Sequence, residues 1–438
     1  MLIKTVRFSI VLFLLFYLFF GVRGTWTNIP FYQLFLQLLF AIISYLCILN
    51  SQKIVQSKIF VYTFAFQFGL AILLKIFFVL NAETEFGPSA IDSLGYFEYA
   101  QRWAQMNFSQ FQYYMSDTSW AGIDDKGYLF FLRSLFVLFP QGSVAYIVIL
   151  LNAFFIAIAS VALFKTMIIL DSMKKQNAII VTSVFSSFLT FVNTSAVGMK
   201  EDVFIPIIIL AIYYYVSYRQ KKNVINFLLL LLFTLLTVFF RTAITASLIL
   251  VFAVGFFSSR NNKKYVVYSF YISIIAFPIV VDFIINNFLG ISLESVLATA
   301  QGRNNFTTGA DPNSKMIGNI MASVIGPFPT FVDSHDTMFY SFSSILKMLL
   351  NLPVLCAVIR ILRKYDYRYY FVTFLYLIGI MFNIVVATGL DMRYQMPFFG
   401  AFLLLLFYYL NTFEIKSIFL YGYIFGCASI TFIYNIIK

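Results

Sequence analysis

Apolar residues along this chain come in long runs without the two-residue alternation of a half-buried strand. Runs of 15 or more, broken by short polar segments, mark about thirteen candidate membrane helices at a requirement of roughly 20 apolar residues each. They lie near 6–21, 30–49, 59–80, 144–166, 178–192, 203–218, 225–239, 243–257, 265–284, 343–362, 369–387, 396–410 and 417–435. No small-residue cleavage site follows the first run, which therefore reads as an anchor rather than a removed signal peptide. Between the runs, 81–143 and 285–342 are long and lack a spanning segment, yet both contain amphipathic pieces. Tyr96, Tyr99, Trp103 and Met106 recur at helical spacing, which predicts a helix lying in the membrane interface. The stretch 127–139 is too short to cross and carries Arg133, so it predicts a re-entrant or interfacial helix. The pattern as a whole predicts one all-α polytopic membrane domain over 1–438. It has about thirteen spans and two long extracytoplasmic loops carrying interfacial helices.

Composition narrows the class. Of the 438 residues, 61% are hydrophobic and 11% charged, with mean hydropathy +0.88. A soluble domain carries about 45–50% apolar and about 25% charged residues, so a soluble globular protein is excluded. Cys47, Cys356 and Cys427 all lie in apolar stretches and read as buried thiols, not as a disulfide or zinc framework.

The net charge of +12 is explained by topology. With the N-terminus cytoplasmic, basic residues recur in every short inward loop: Lys4 and Arg7, Lys53 and Lys58, Lys165 to Lys175, Arg219 to Lys222, Arg260 to Lys264, Arg360 to Arg368, and Lys416. Only Asp171, Asp366 and Glu414 are acids on that side. No nucleic-acid partner is needed. These inward loops are too small for a nucleotide-binding domain. No P-loop, dinucleotide fingerprint or histidine-based zinc motif occurs. Polar chemistry is therefore expected at the outer leaflet.

Six arginines fall outside the inward set: Arg23, Arg102, Arg133, Arg241, Arg303 and Arg393. Arg23 and Arg133 read as headgroup anchors. Arg241 sits at the outer tip of a tight hairpin between two short spans with no acid nearby in sequence, which favours a ligand role. Arg303 lies in QGRNNF of the second loop and Arg393 in GLDMRYQMP just before a span. Guanidinium groups bind phosphate bidentately and stay charged, so such a set suits a lipid diphosphate. Snorkelling to headgroups explains any one of them about as well.

Lys200, Glu201 and Asp202 open a helix. Acids there complement the helix dipole, and Lys200 is one of few outer lysines able to meet an anion. His335 is the only histidine and stands between Asp333 and Asp336, an arrangement suited to removing a proton from a sugar hydroxyl; a solvated loop histidine is the plain alternative. Asp333 and Asp336 could only begin a metal site, so metal binding is not expected. Among the first loop's acids, Asp92 leads through Ser93, Leu94 and Gly95 into a helix expected to begin near Tyr96, as in a sugar-binding loop. The sequons at Asn107, Asn193 and Asn305 are too short to establish a eukaryotic lumen.

This layout resembles the O-antigen and polysaccharide repeat-unit polymerases and the O-antigen ligases, within the wider GT-C group of polytopic glycosyltransferases. The resemblance rests on about a dozen spans, the arginine-tipped hairpin, the Arg- and His-bearing late loop, the GLDMRYQMP segment and the Lys200-Glu201-Asp202 opening. It implies cofactor-free, metal-independent inverting transfer at the periplasmic face of a bacterial inner membrane, with an undecaprenyl-diphosphate glycan as donor and a second lipid-linked oligosaccharide as acceptor. Lipopolysaccharide or capsule would be the product, and a chain-length regulator the protein partner. It further implies that Arg241 and Arg303 bind the donor diphosphate, Arg393 positions substrate, and His335 activates the acceptor, with Asp92, Glu201 or Asp336 as the alternative base. Two other readings remain. A transferase using a polyprenyl-monophosphate sugar would use Asp92, although its acidic loop should follow the first span and here follows the third. A lipid-linked glycan flippase would place charges along a mid-bilayer path, where only Lys75 and Lys347 stand.

Overall fold

A computed structural model describes residues 56–81, 86–87, 91–107, 109–110, 123–140, 144–272, 312–328, 337–385, 392–413 and 417–437. The described residues are helical and contain no strand. Seven helices among them are long and apolar enough to cross a membrane: Lys58–Leu80, Val144–Leu170, Ser172–Val197, Glu201–Lys221, Ser343–Lys364, Tyr367–Val385 and Met392–Thr412. Each coincides with a predicted span. The predicted spans 225–239 and 243–257 are the shorter helices Val224–Phe239 and Thr242–Phe257. The runs 6–21 and 30–49, most of 265–284, and Cys47 lie outside the described residues, so the seven do not establish thirteen. The chain is a polytopic helical membrane protein whose contacts group into two units, 1–248 with 330–343 and 438, and 249–329 with 344–437.

In the first unit, α1 (Gln56–Asn81) and α4 (Val144–Leu170) pack together through an apolar core. Phe66, Leu70, Leu74 and Phe78 of α1 meet Ile149 of α4 and Leu189, Val192 and Ala196 of the 172–197 segment. That segment is not the continuous span the sequence predicts. It is broken into α5 (Lys175–Ser186) and α6 (Leu189–Val197), with Phe188 in extended backbone. A break within a membrane must return the freed backbone groups to protein partners, because lipid supplies none. Here Gln67 Nε2 of α1 donates to Ser186 O at 2.7 Å, while Thr63 Oγ1 bonds Ser186 Oγ at 2.7 Å and Ser160 Oγ at 3.0 Å. The polar residues of α1 are the counterpart of the break in α5–α6.

Among the described residues of the first long loop, α2 (Ile91–Ala104) and α3 (Ile123–Leu138) pack on each other. Their buried faces meet protein: Phe97, Ala100 and Trp103 on α2, Tyr128, Leu129 and Leu132 on α3. Arg133 joins the two helices, its Nε donating to Trp103 O at 3.0 Å. Asp92 also lies inside the first turn of α2, four residues before the expected start. The unit is completed by α7 (Glu201–Lys221), α8 (Val224–Leu236) and the start of α9 (Thr242–Phe257), with a 3-10 turn Thr237–Phe239 between the last two.

The second unit contains α10 (Pro312–Val324), most of α11 (Thr337–Lys364), α12 (Tyr370–Val385), α13 (Phe399–Thr412) and α14 (Ser417–Ile437). The second long loop thus contains α10, and α11 begins six residues before the predicted span. The backbone just beyond α10 ends on buried side chains of α11. Lys347 Nζ donates to Gly326 O at 2.9 Å and to Gln395 Oε1, and Asn351 Nδ2 donates to Ile325 O and, at 3.1 Å, to Gly326 O. Carbonyls at a helix C-terminus carry partial negative charge, so a lysine there complements the dipole. From α10 itself, Asn319 Nδ2 donates at 3.2 Å to Asn383 O and Ile384 O of α12.

Candidate functional site

The polar residues of the first unit converge where α6 turns into α7. Gly198 makes that turn with φ +82°, a left-handed conformation that favours glycine. Its N–H closes α6 on Thr194 O at 3.0 Å and Ser195 O at 3.2 Å. A Cβ at this position would stand 2.9 Å from Phe97 Cε2, so the turn rests directly on α2. Lys200 then caps α7 through its carbonyl, accepting from Val203 N and Phe204 N. Its side chain is therefore available to pair with the Asp125 carboxylate of α3.

Glu201 and Asp202 occupy the first turn of α7, where the dipole favours acids, but both are buried, Asp202 completely. Thr194 Oγ1 donates to Asp202 Oδ1 at 2.9 Å. Among the described residues, no hydrogen bond reaches Asp202 Oδ2 or Glu201 Oε2. Two carboxylates without a full set of donors are costly in such a place unless something supplies protons or charge.

Two phenols stand against these acids. Tyr128 of α3 is fully buried and donates through its hydroxyl to Gly198 O at 2.7 Å. Tyr96 of α2 meets it edge-on, ring centroids 5.3 Å apart. Burial raises the Tyr96 hydroxyl above its ordinary pKa near 10, and the negative charges of Asp125, Glu201 and Asp92 add to the shift. Tyr128 is raised well above 10 by burial, then by Asp202 and Glu201. The same hydroxyl of Tyr96 thus senses Asp92, Asp125 and Glu201, which places the three carboxylates around it.

The α8–α9 hairpin closes onto this group from two directions. A Cβ on Gly127 of α3 would lie 2.8 Å from Phe239 O, so the absence of a side chain permits the approach. Phe240 stacks on Phe204 of α7 with centroids 5.7 Å apart. Arg241 follows at once, half-buried, with its N–H bonded to Thr237 O at 2.8 Å and its carbonyl accepting from Ile244 N at 3.1 Å. The arrangement combines buried and exposed carboxylates with the Lys200 ammonium and two phenols. It can hold hydroxyl-rich and anionic groups and take up a proton. Among the described residues, no group of three His, Cys, Asp or Glu side chains could hold a metal ion.

Of the residues singled out from the sequence, Asp92, Lys200, Glu201 and Arg241 meet in this region of the first unit. Arg393 belongs to the second unit, where its guanidinium lies 6.0 Å from the Tyr394 ring centroid. Arg303, His335 and Asp336 lie outside the described residues. Sequence reasoning missed the part played by Asp125, Tyr96, Tyr128 and Thr194. A signal for Asp125 existed, since Asp124-Asp125-Lys126 sits directly before an apolar stretch, as acids at a helix start do. Comparisons with protein-family models, curated proteins and solved structures find no match to this chain.

Proposed function

We propose that this protein is an inverting membrane glycosyltransferase that joins polyprenyl-diphosphate-linked oligosaccharide repeat units at the extracytoplasmic face. The observation that carries the reading is the buried, incompletely hydrogen-bonded Glu201 carboxylate beside Lys200 and the two tyrosines, at the turn on which Phe240, the residue before Arg241, packs through Phe204. In the reaction, an acceptor hydroxyl attacks the anomeric carbon of the donor sugar, the carbon–oxygen bond to the diphosphate breaks, and configuration inverts. Glu201 receives the acceptor proton, and the diphosphate leaves with the bonding electrons. Arg241 faces the leaving diphosphate and stabilises its growing charge, a contribution that typically amounts to about 10²–10³ in rate. Tyr96 presents its ring and hydroxyl to the sugar, and the buried Tyr128 behind it holds that ring in place.

A deletion strain complemented with variants tests this. Loss of the polysaccharide ladder with one repeat unit retained identifies a polymerase; loss of every unit identifies a flippase or an earlier transferase. Glu201→Gln should lower chain elongation by about 10²–10⁴, the usual contribution of a general base, at unchanged membrane abundance. Arg241→Ala should do so by about 10²–10³. Full-length polymer from Glu201→Gln would overturn the assignment of the base. One feature favours transfer from a polyprenyl-monophosphate sugar instead, namely the exposed Asp92 beside Tyr96. That reading requires Asp92→Asn, rather than Glu201→Gln, to be the inactive variant.

A further inference from the structure

At the opposite end of α7 a polar cavity of about 380 Å³ opens. It lies where α4 ends, α7 ends and α8 begins, at the end whose basic loops the positive-inside rule reads as cytoplasmic. A liquid water occupies about 30 Å³, so this cleft would hold roughly a dozen, within the range of ligand pockets. Phe164, Ile168 and Ile169 form an apolar wall, and Lys165, Lys221 and Asn226 line the polar side. Both lysines are exposed, and no ion pair among the described residues engages either one. The nearest acid in sequence, Asp171, accepts from Met173 N at the start of its own 3-10 turn.

Surface lysines alone follow from topology. The cleft also contains Ser217, which is 6% exposed and whose Oγ has no hydrogen-bond partner among the described residues. A buried hydroxyl lining a cleft beside two unpaired ammonium groups is a donor set for an oxyanion. Next to it, Val224, Ile225 and Leu228 of α8 are 67%, 63% and 58% exposed, an apolar strip running away from the cleft. Charged donors above an apolar strip match a headgroup and its chains.

We propose that this cleft is a binding site for a phosphate group, carried by an anionic phospholipid whose chains lie along α8. Lys165 and Lys221 flank the phosphate, Ser217 donates to one of its oxygens, and the glycerol occupies the remaining volume. The site is separate from the proposed glycosyl-transfer cluster and stands whether or not that function holds.

Native mass spectrometry of the full-length protein in detergent, titrated with phosphatidylglycerol, tests the proposal. A lysine near an anionic surface contributes about fivefold in binding, so Lys165→Ala should weaken the complex about fivefold and Lys165→Ala with Lys221→Ala about thirtyfold. Ser217→Ala should weaken it severalfold, and Lys165→Arg should keep it. Lys58→Ala, an exposed lysine outside the cleft, should leave binding unchanged. Phosphatidylglycerol should also bind more tightly than zwitterionic phosphatidylethanolamine. Glycerol phosphate distinguishes the two sources of the same chemistry. Weak competition assigns the site to the lipid, whereas binding as tight as that of phosphatidylglycerol assigns it to a soluble phosphate ester. Wild-type affinity in the double variant, or an equal loss in Lys58→Ala, would overturn the proposal.

Discussion

Replacing Gly198 with alanine should destabilise the first unit through two separable effects. The backbone at φ +82° lies in the left-handed region, where an L side chain costs about 1–2 kcal/mol. The new methyl would also stand 2.9 Å from Phe97 Cε2 and 3.3 Å from Phe97 Cζ. Phe97 cannot simply withdraw, because its ring packs 4.7 Å from Phe86 and 6.1 Å from Phe136, centroid to centroid. Overpacking of this kind costs about 1–3 kcal/mol. The total is about 2–5 kcal/mol, and in a unit of this size each kcal/mol moves the thermal midpoint by about 2–4 °C. Thermal unfolding of the purified protein should therefore show a midpoint lower by about 4–20 °C. Adding Phe97→Leu to Gly198→Ala should recover the packing part and leave the backbone part, so the pair should be less than additive. A wild-type midpoint for Gly198→Ala, or strict additivity with Phe97→Leu, would show that the α6–α7 turn does not rest on α2 as described.

Three more outcomes follow from the same contacts. Gln67→Leu leaves the Ser186 carbonyl without its side-chain donor and should cost about 1–3 kcal/mol in chemical unfolding, with Gln67→Glu no rescue, since a carboxylate cannot donate. Lys347→Met leaves Gly326 O and Gln395 Oε1 without the ammonium and should expose the α10 segment to trypsin, which limited proteolysis reads directly. Tyr96 carries a folded pKa above its unfolded value near 10, so its contribution to stability is complete below pH 10 and is lost as pH rises from there toward the folded pKa. The thermal midpoint measured between pH 9 and 11 should fall less steeply in Tyr96→Phe than in wild type, by up to about 1.4 kcal/mol of stability per pH unit.

The helical, membrane-spanning character of the chain was legible because bilayer thickness imposes a length on apolar runs. The break at Ser186–Phe188 was not, because it has no Pro or Gly to mark it. Its cause is a donor 119 positions away at Gln67, and periodicity carries no information over such separations. The same limit applies to α2 and α3. Tyr96 and Trp103 at helical spacing signal an apolar face, but nothing in the spacing says whether lipid or another helix covers it. At the candidate site, Glu201 and Asp202 were recognisable as helix-start acids and Arg241 as a hairpin tip. Their grouping with Asp125 and Tyr96 needed the packing of α2 and α3 onto the Gly198 turn.

The Lys347 contact has a consequence for how the protein is made. A lysine inside a spanning segment raises the cost of insertion, by up to about 2.5–3.5 kcal/mol at the centre and by less toward an end, where Lys347 lies in Ser343–Lys364. One of its acceptors, Gly326 O, precedes it on the ribosome, but the other, Gln395, is 48 residues further on. At about 5–20 residues per second, the nascent segment waits roughly 2–10 s for its amide partner. A chain released before residue 395 leaves that ammonium half-satisfied in the membrane, a ready mark for quality-control proteolysis.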